Sequence, residues 1–184
     1  MALILASQSP RRKELLALLG KSFVIRVADI DETMDPSKPV FDEVARVSGA
    51  KACAVEHNKE DIVIAADTVV VCDGTVLGKP KDEQDAFYML SMLSGRTHQV
   101  MTGLSVIKSG VLTSVTEVTD VHFRKLSEKE ILDYIATGEP MDKAGSYGIQ
   151  GGASLFVDWI HGDYFNVVGL PVCRLGQLLK EDKQ

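Results

Sequence analysis

The amino-acid sequence predicts an α/β protein with a mixed, twisted central sheet flanked by helices. Runs of apolar, β-branched residues alternate along the chain with segments whose apolar residues recur at helical spacing. Two turn dipeptides, Asp73-Gly74 and Ser109-Gly110, fold neighbouring strands into hairpins, which a purely parallel sheet does not contain. The chain shows no internal repeat, low-complexity tract or shift in composition, so residues 1–184 read as one domain.

The elements follow in order. Residues 3–6 form a short buried strand, and Ser9-Pro10 then supplies the cap and first position of a helix carrying Leu15, Leu16, Leu18 and Leu19, stopped by Gly20. Residues 23–27 are a strand, and residues 29–39, polar with two prolines, are a loop. Phe41, Val44, Ser48, Lys51 and Val55 line one face of a second helix. Residues 62–72, apolar except for Asp67 and Thr68, read as a central strand that turns at Asp73-Gly74 into residues 75–77. Asp82 caps a helix with Ala86, Met89, Leu90 and Leu93 on one face, ended by Gly95. Strands at 98–107 and 111–123 follow. Ser127 and Glu130 form a capping box with Leu126 and Ile131 as its staple, which places a helix over 128–137 before Gly138. A glycine-rich stretch to Gly152, strands near 155–160 and 166–168, and a helix after Pro171 complete the chain.

Composition narrows the function. Hydrophobic residues make up 45% and charged residues 25%, ordinary globular usage. Twenty Lys and Arg against 26 Asp and Glu leave a net charge of −6, which opposes broad adhesion to nucleic acid or anionic lipid, so a polyanion must be met locally. Cys53, Cys72 and Cys173 lack C-x-x-C spacing and suit a reducing, cytoplasmic compartment. The apolar residues 1–6 lack the basic flank of a signal peptide, and no apolar run approaches the roughly 20 residues of a membrane span.

Several segments carry candidate chemistry. In Ser7-Gln-Ser9-Pro10-Arg11-Arg12 free backbone N–H groups, hydroxyls and guanidiniums converge at a helix start, which is either a phosphate cradle or an ordinary start with solvated arginines. Asp67 interrupts an apolar strand and needs a cation, a metal or several donors beside it, unless it caps a neighbouring loop. Lys51 sits on the apolar side of its helix, where it either pairs or snorkels. Asp29-Ile-Asp31-Glu32 supplies hard oxygen ligands for Mg²⁺ or Mn²⁺, or is a solvated acidic loop. Gly78-Lys79-Pro80-Lys81 puts lysines on a rigid turn, to meet phosphate or solvent. The glycines of 139–152 suit a backbone that approaches a ligand closely, with a purely structural loop as the alternative. The histidines lack H-x-x-x-H spacing and no serine sits on a nucleophile elbow, which disfavours zinc hydrolysis and serine hydrolase chemistry.

Taken together, Ser7-Gln-Ser9-Pro10-Arg11-Arg12, Ala66-Asp67-Thr68-Val69, Gly78-Lys79-Pro80, Leu93-Ser-Gly95, Gly162-Asp163-Tyr164 and Val168-Gly169-Leu170-Pro171 resemble the Maf family in register over nearly the whole chain. The resemblance implies an elongated α/β domain around a cleft, of the Maf/ITPase-like kind, and a nucleoside triphosphate pyrophosphatase once described as a septum-formation inhibitor. Residues 139–151 resemble the branch acting on dTTP and UTP, with modified pyrimidine nucleotides as further candidates. By the same resemblance Asp67 is the proton acceptor; Arg11, Thr68 and Gln150 select the substrate; Ser7, Ser9, Arg12, Lys51 and Lys79 surround the phosphates; Glu32 and Asp67 hold a divalent metal, Mg²⁺ or Mn²⁺. The partner is then a nucleoside triphosphate, with no nucleic acid or membrane, and a homodimer is compatible with this. A buried Gln150 amide would offer a donor and an acceptor to a uracil or thymine edge. The alternative is a nucleotide-binding regulator of cell division without turnover. Asp67 and Thr68, adjacent on a strand, should face opposite sides unless a bulge or strand end intervenes.

Overall fold

The computed structural model describes residues 1–180, and the fold is the mixed α/β arrangement that the sequence predicts. Its strands are β1 (Leu3–Leu5), β2 (Val24–Ile25), β3 (Ile62–Cys72), β4 (Thr75–Leu77), β5 (Thr97–Lys108), β6 (Val111–Phe123) and β7 (Val157–His161). They form one sheet in the order β2-β1-β3-β5-β6-β7, with β4 paired to β3. β1 runs parallel to β2 and β3, whereas β3 with β4 and β6 with β7 are antiparallel. The helices are α1 (Pro10–Ala17), α2 (Val40–Ala54), α3 (Glu83–Leu93), α4 (Glu128–Ile135), α5 (Tyr164–Val168) and α6 (Val172–Lys180). None is long and apolar enough to cross a membrane, among the described residues.

Local chemistry explains most boundaries. Ser9 and Asp82 accept the backbone N–H of Arg12 and Asp85 and so cap α1 and α3. Ser127 and Glu130 close the reciprocal box on α4. Asp73 with Gly74 and Ser109 with Gly110 all take positive φ, the pairing a tight hairpin turn needs to match strand twist.

Residues fall into two compact units, one built from 1–68, 102–117 and the segment from 169 onward, the other from 69–101 and 118–168. In the first unit Ile4, Ala6, Ala52, Val55, Val63, Ala65 and Ile107 form a core cluster. Here β5 passes close against α2: a Cβ on Gly103 would lie 2.1 Å from the Val44 carbonyl oxygen, so only glycine fits. The buried face of α2 is Val44, Val47, Ser48, Gly49 and Ala52, while Phe41 is exposed, a rotation away from the face the sequence predicts. Ser48 bonds the Ala45 carbonyl and Ser105, which satisfies a polar group in that face.

In the second unit a larger core joins Phe123, Leu90, Leu93, Tyr134, Tyr147 and Phe156. The sequence predicts strands near 155–160 and over 166–168. The first begins only at Val157, after a 3-10 turn over Gly152–Leu155, and the second is helical, in α5. Gly162 at φ 132° lies against Thr119, and Asp163 accepts the Phe165 N–H at 2.8 Å, which starts a helical turn. The buried Asn166 amide then donates to the Val100 carbonyl and to Thr119, anchors that outweigh the extended preference of two valines.

Candidate active site

In the first unit α2 directs Lys51 at Asp67 on β3. The Lys51 ammonium lies 2.7 Å from Asp67 Oδ1 and 2.8 Å from Glu32 Oε2, so one cation joins two carboxylates. Lys51 and Asp67 are 14% and 13% exposed and Glu32 59%, a charged cluster that opens to solvent at the Glu32 end. Lys51 is therefore the cation that the strand carboxylate demands, since removing one partner from such a pair strands the other charge in low dielectric.

Glu32 sits in the polar 29–39 loop, and two residues outside the sequence prediction hold that loop to α2. The almost fully buried Glu43 carboxylate accepts the Asp35 N–H at 2.9 Å. Arg46 donates to both Glu43 oxygens and, at 2.8 Å, to the Thr33 carbonyl. Those bonds keep the Glu43 carboxyl below its usual range, first through Arg46 and then through the Asp35 N–H. The i,i+3 spacing of Glu43 and Arg46 was a visible signal, but only the fold shows that the pair turns toward the loop.

Arg12, on the first turn of α1, is not a solvated arginine. Its guanidinium donates to the Gly169 carbonyl at 2.9 Å, Thr68 Oγ1 at 3.1 Å and Ser7 Oγ at 3.2 Å. Burial pulls its pKa down, opposed by the charge of Asp67 and reinforced by that of Arg11 next to it. The buried Ser7 Oγ also accepts the Ser9 N–H, and Thr102 on β5, fully buried, is hydrogen-bonded to Thr68 at 3.0 Å. Ser7, Ser9, Arg11, Arg12, Thr68 and the Lys51 cluster therefore belong to one unit, with Thr102 and Gly169 as supports the sequence did not disclose.

The strand alternation at Asp67 and Thr68 is kept. Asp67 reaches Lys51 on α2 while Thr68 reaches Arg12 on α1 and Thr102 on β5. The length of the Arg12 side chain reconciles the two, because it bonds Thr68 directly and still feels the Asp67 charge.

Lys79 and Gln150 lie in the second unit. Lys79 is exposed on the turn after β4, where the Gly78 carbonyl accepts the Gly145 N–H at 3.0 Å. Gln150 is exposed at the tip of a turn closed by a 3.0 Å bond from the Gly151 N–H to the Gly148 carbonyl, not buried as the sequence suggests. Earlier in the same loop Tyr147 is buried, and its hydroxyl meets His98 Nε2 at 2.8 Å.

Guanidinium, ammonium, hydroxyl and carboxylate groups thus gather in the first unit of an α/β fold, a set of side chains that can hold a phosphate chain. The chain belongs to the Maf family: the family model described as Maf-like protein matches residues 2–182. A protein of Geobacillus sp. (strain WCH70) named dTTP/UTP pyrophosphatase is 53% identical over 173 residues, 94% of this chain and 93% of that one. A protein of Bacillus cereus (strain AH820) with the same name is 49% identical over 180 residues, 97% of this chain and 94% of its own. The structure of a HAM1 protein from Coxiella burnetii superposes with a TM-score of 0.54 at 12% identity, covering 99% of this chain and 100% of that one, which is likeness of fold.

Proposed function

We propose that this chain is a nucleoside triphosphate pyrophosphatase that hydrolyses dTTP and UTP to the nucleoside monophosphate and pyrophosphate. The observation that carries the reading is the half-buried cluster of Lys51, Asp67 and Glu32 in the unit where Arg12 is held by Ser7, Thr68 and Gly169. The names of relatives near 50% identity support it.

In the reaction a water oxygen attacks the α-phosphorus and the bond to the bridging oxygen breaks, so that negative charge grows on the leaving pyrophosphate. Asp67 takes the proton of the attacking water, a role that requires its carboxylate to be ionised. Lys51, already bonded to that carboxylate, orients it and adds positive charge where phosphate oxygens bind. Arg12 does the same from α1, and its orientation is set before substrate arrives by the Gly169 carbonyl and two hydroxyls. Ser7 and Ser9 line this start, Lys79 supplies a further cation, and Arg11, Thr68 and Gln150 select the nucleotide.

Glu32 and Asp67, the two hard carboxylates that reach the Lys51 ammonium, are the residues that would hold a divalent cation, since Mg²⁺ or Mn²⁺ on phosphates is held by one or two such groups. When bound, that cation neutralises phosphate charge and polarises the anhydride. The free thiols of Cys53, Cys72 and Cys173 suit a reducing cytoplasm.

The test is a panel of dTTP, UTP, CTP, ATP and GTP with Mg²⁺ or Mn²⁺, detecting pyrophosphate and orthophosphate separately. Pyrophosphate released fastest from dTTP and UTP is the expected result. Orthophosphate as the product, or nucleotide binding without turnover, overturns the reading.

A further inference from the structure

The turn that carries Gln150 is clamped at both ends by one pair of side chains. At its start the Gly148 N–H donates to the Tyr134 hydroxyl at 3.2 Å; just past its end the Gly152 N–H donates to Glu139 Oε2 at 3.0 Å. The pair is itself joined, Tyr134 donating its hydroxyl proton to Glu139 Oε1 at 3.0 Å. Thus Gly148 N–H, Tyr134 Oη, Glu139 and Gly152 N–H form one continuous chain of hydrogen bonds around residues 148–152, with Gln150 projecting outward.

Both clamp residues are fixed from elsewhere. Tyr134 is buried on α4, its ring edge-on to Phe156 with centroids 5.2 Å apart. Glu139 follows Gly138, which ends the α4 segment in the left-handed region at φ 75°, and its carbonyl accepts from Lys143 Nζ. The glycines of this loop serve the clamp. A Cβ on Gly151 would lie 2.0 Å from Glu139 Oε1, and one on Gly148 would lie 2.7 Å from Lys143 Cε. The sequence suggests that these glycines let the backbone approach a ligand; the structure shows the backbone approaching Glu139 and Lys143.

We propose that Tyr134 and Glu139 are positioning residues for base selection, holding the 148–152 turn so that the Gln150 amide is presented in one orientation to the pyrimidine edge. The proposal rests on the reading of Gln150 as the base-reading residue. Ordering a free turn costs conformational entropy, so an unclamped loop would have to be ordered by the substrate. A pre-ordered amide also leaves its donor and acceptor unpaired when the wrong edge enters, which is how a hydrogen-bonding site rejects a mismatch.

The experiment compares parent, Tyr134→Phe, Glu139→Ala, Glu139→Gln and Gln150→Ala. It reads kcat and KM for UTP and CTP under one metal, with thermal melting and amide exchange at residues 148–152. Tyr134→Phe keeps the ring against Phe156 and removes only the hydroxyl; Glu139→Gln keeps an oxygen for the Gly152 N–H. Expected is a fall of about tenfold in the UTP to CTP ratio of kcat/KM for Tyr134→Phe and Glu139→Ala. The fall comes through a raised KM for UTP at nearly unchanged kcat, with faster exchange at Gly148 and Gly152. Glu139→Gln recovers much of the ratio, and adding Tyr134→Phe to Gln150→Ala lowers it no further. If Gln150→Ala lowers the ratio while both clamp variants keep it, the clamp proposal fails and base reading by Gln150 stands. If Gln150→Ala leaves the ratio unchanged, both fail. An equal loss on UTP and CTP that tracks a lowered melting temperature assigns Tyr134 and Glu139 to stability and overturns the proposal.

Discussion

Protonation of His98 should weaken the fold between pH 6.5 and about 4. The ring is 2% exposed, edge-on to Phe123 and Tyr147 at centroid distances of 5.0 and 5.4 Å, with Nε2 bonded to the Tyr147 hydroxyl. Burial among these groups, and secondarily the charge of His122, pushes its pKa down from 6.5 to about 4. Within that window the unfolded chain binds a proton that the folded chain refuses. The stability is therefore fully present above pH 6.5 and is lost as pH falls toward 4. The separation between the two values is worth roughly 3 kcal/mol, of which about 2 kcal/mol is gone by pH 5. For a chain of this length that corresponds to a drop of about 4–8 °C in Tm between pH 7 and pH 5. Native carboxylates such as Glu130, held down to about 2 first by Arg124, lose their contribution at lower pH, so the upper window belongs to His98. Thermal and urea unfolding at half-unit steps from pH 7.5 to 4.5, on the parent and on His98→Gln, reads the effect. The glutamine keeps a partner for Tyr147 and does not titrate. A parent whose stability stays flat from pH 7 to 5, or a His98→Gln protein with the parent's slope, refutes the reasoning.

Two further outcomes concern the phosphate-handling unit. Asp67→Asn preserves shape and leaves Lys51 paired with Glu32, so it should still fold, with a lowered Tm, but it cannot accept a proton and should lose at least ~10²-fold in kcat; circular dichroism, thermal melting and steady-state pyrophosphate release check this, and near-parental turnover removes Asp67 from the mechanism. Arg12→Ala should both weaken triphosphate binding and cost at least ~1 kcal/mol of stability, about 2–4 °C in Tm, because Gly169, Thr68 and Ser7 each lose a donor. Calorimetry with nucleotide and thermal melting of the free protein measure the two effects, and an unchanged Tm would return Arg12 to the solvated role that its local sequence suggests.

Features that a few consecutive residues decide were legible without the fold. Ser127 and Glu130 cap α4, Asp82 caps α3, and Asp73-Gly74 and Ser109-Gly110 turn their hairpins, because the bonds and dihedral angles involved lie within four residues. The need of Asp67 for a counter-charge was equally legible, since a carboxylate in an apolar strand is costly alone. Which group meets that need was not: Lys51 lies 16 residues earlier, on a helix whose buried face is rotated from the predicted one. Arg12 shows the same limit more strongly, as its partner Gly169 is 157 residues away and local context alone leaves a guanidinium in water. Residues 166–168 failed for a related reason, the extended preference of Val167 and Val168 yielding to the Asn166 bonds to Val100 and Thr119. The clamp on Gln150 lay hidden although Tyr134, Glu139 and the glycines are near in sequence, because glycine spacing reports that the backbone is approached and not what approaches it. Short-range hydrogen bonds and allowed dihedrals are encoded residue by residue, whereas the choice of partner for a charge or a hydroxyl depends on where the whole chain brings its distant segments.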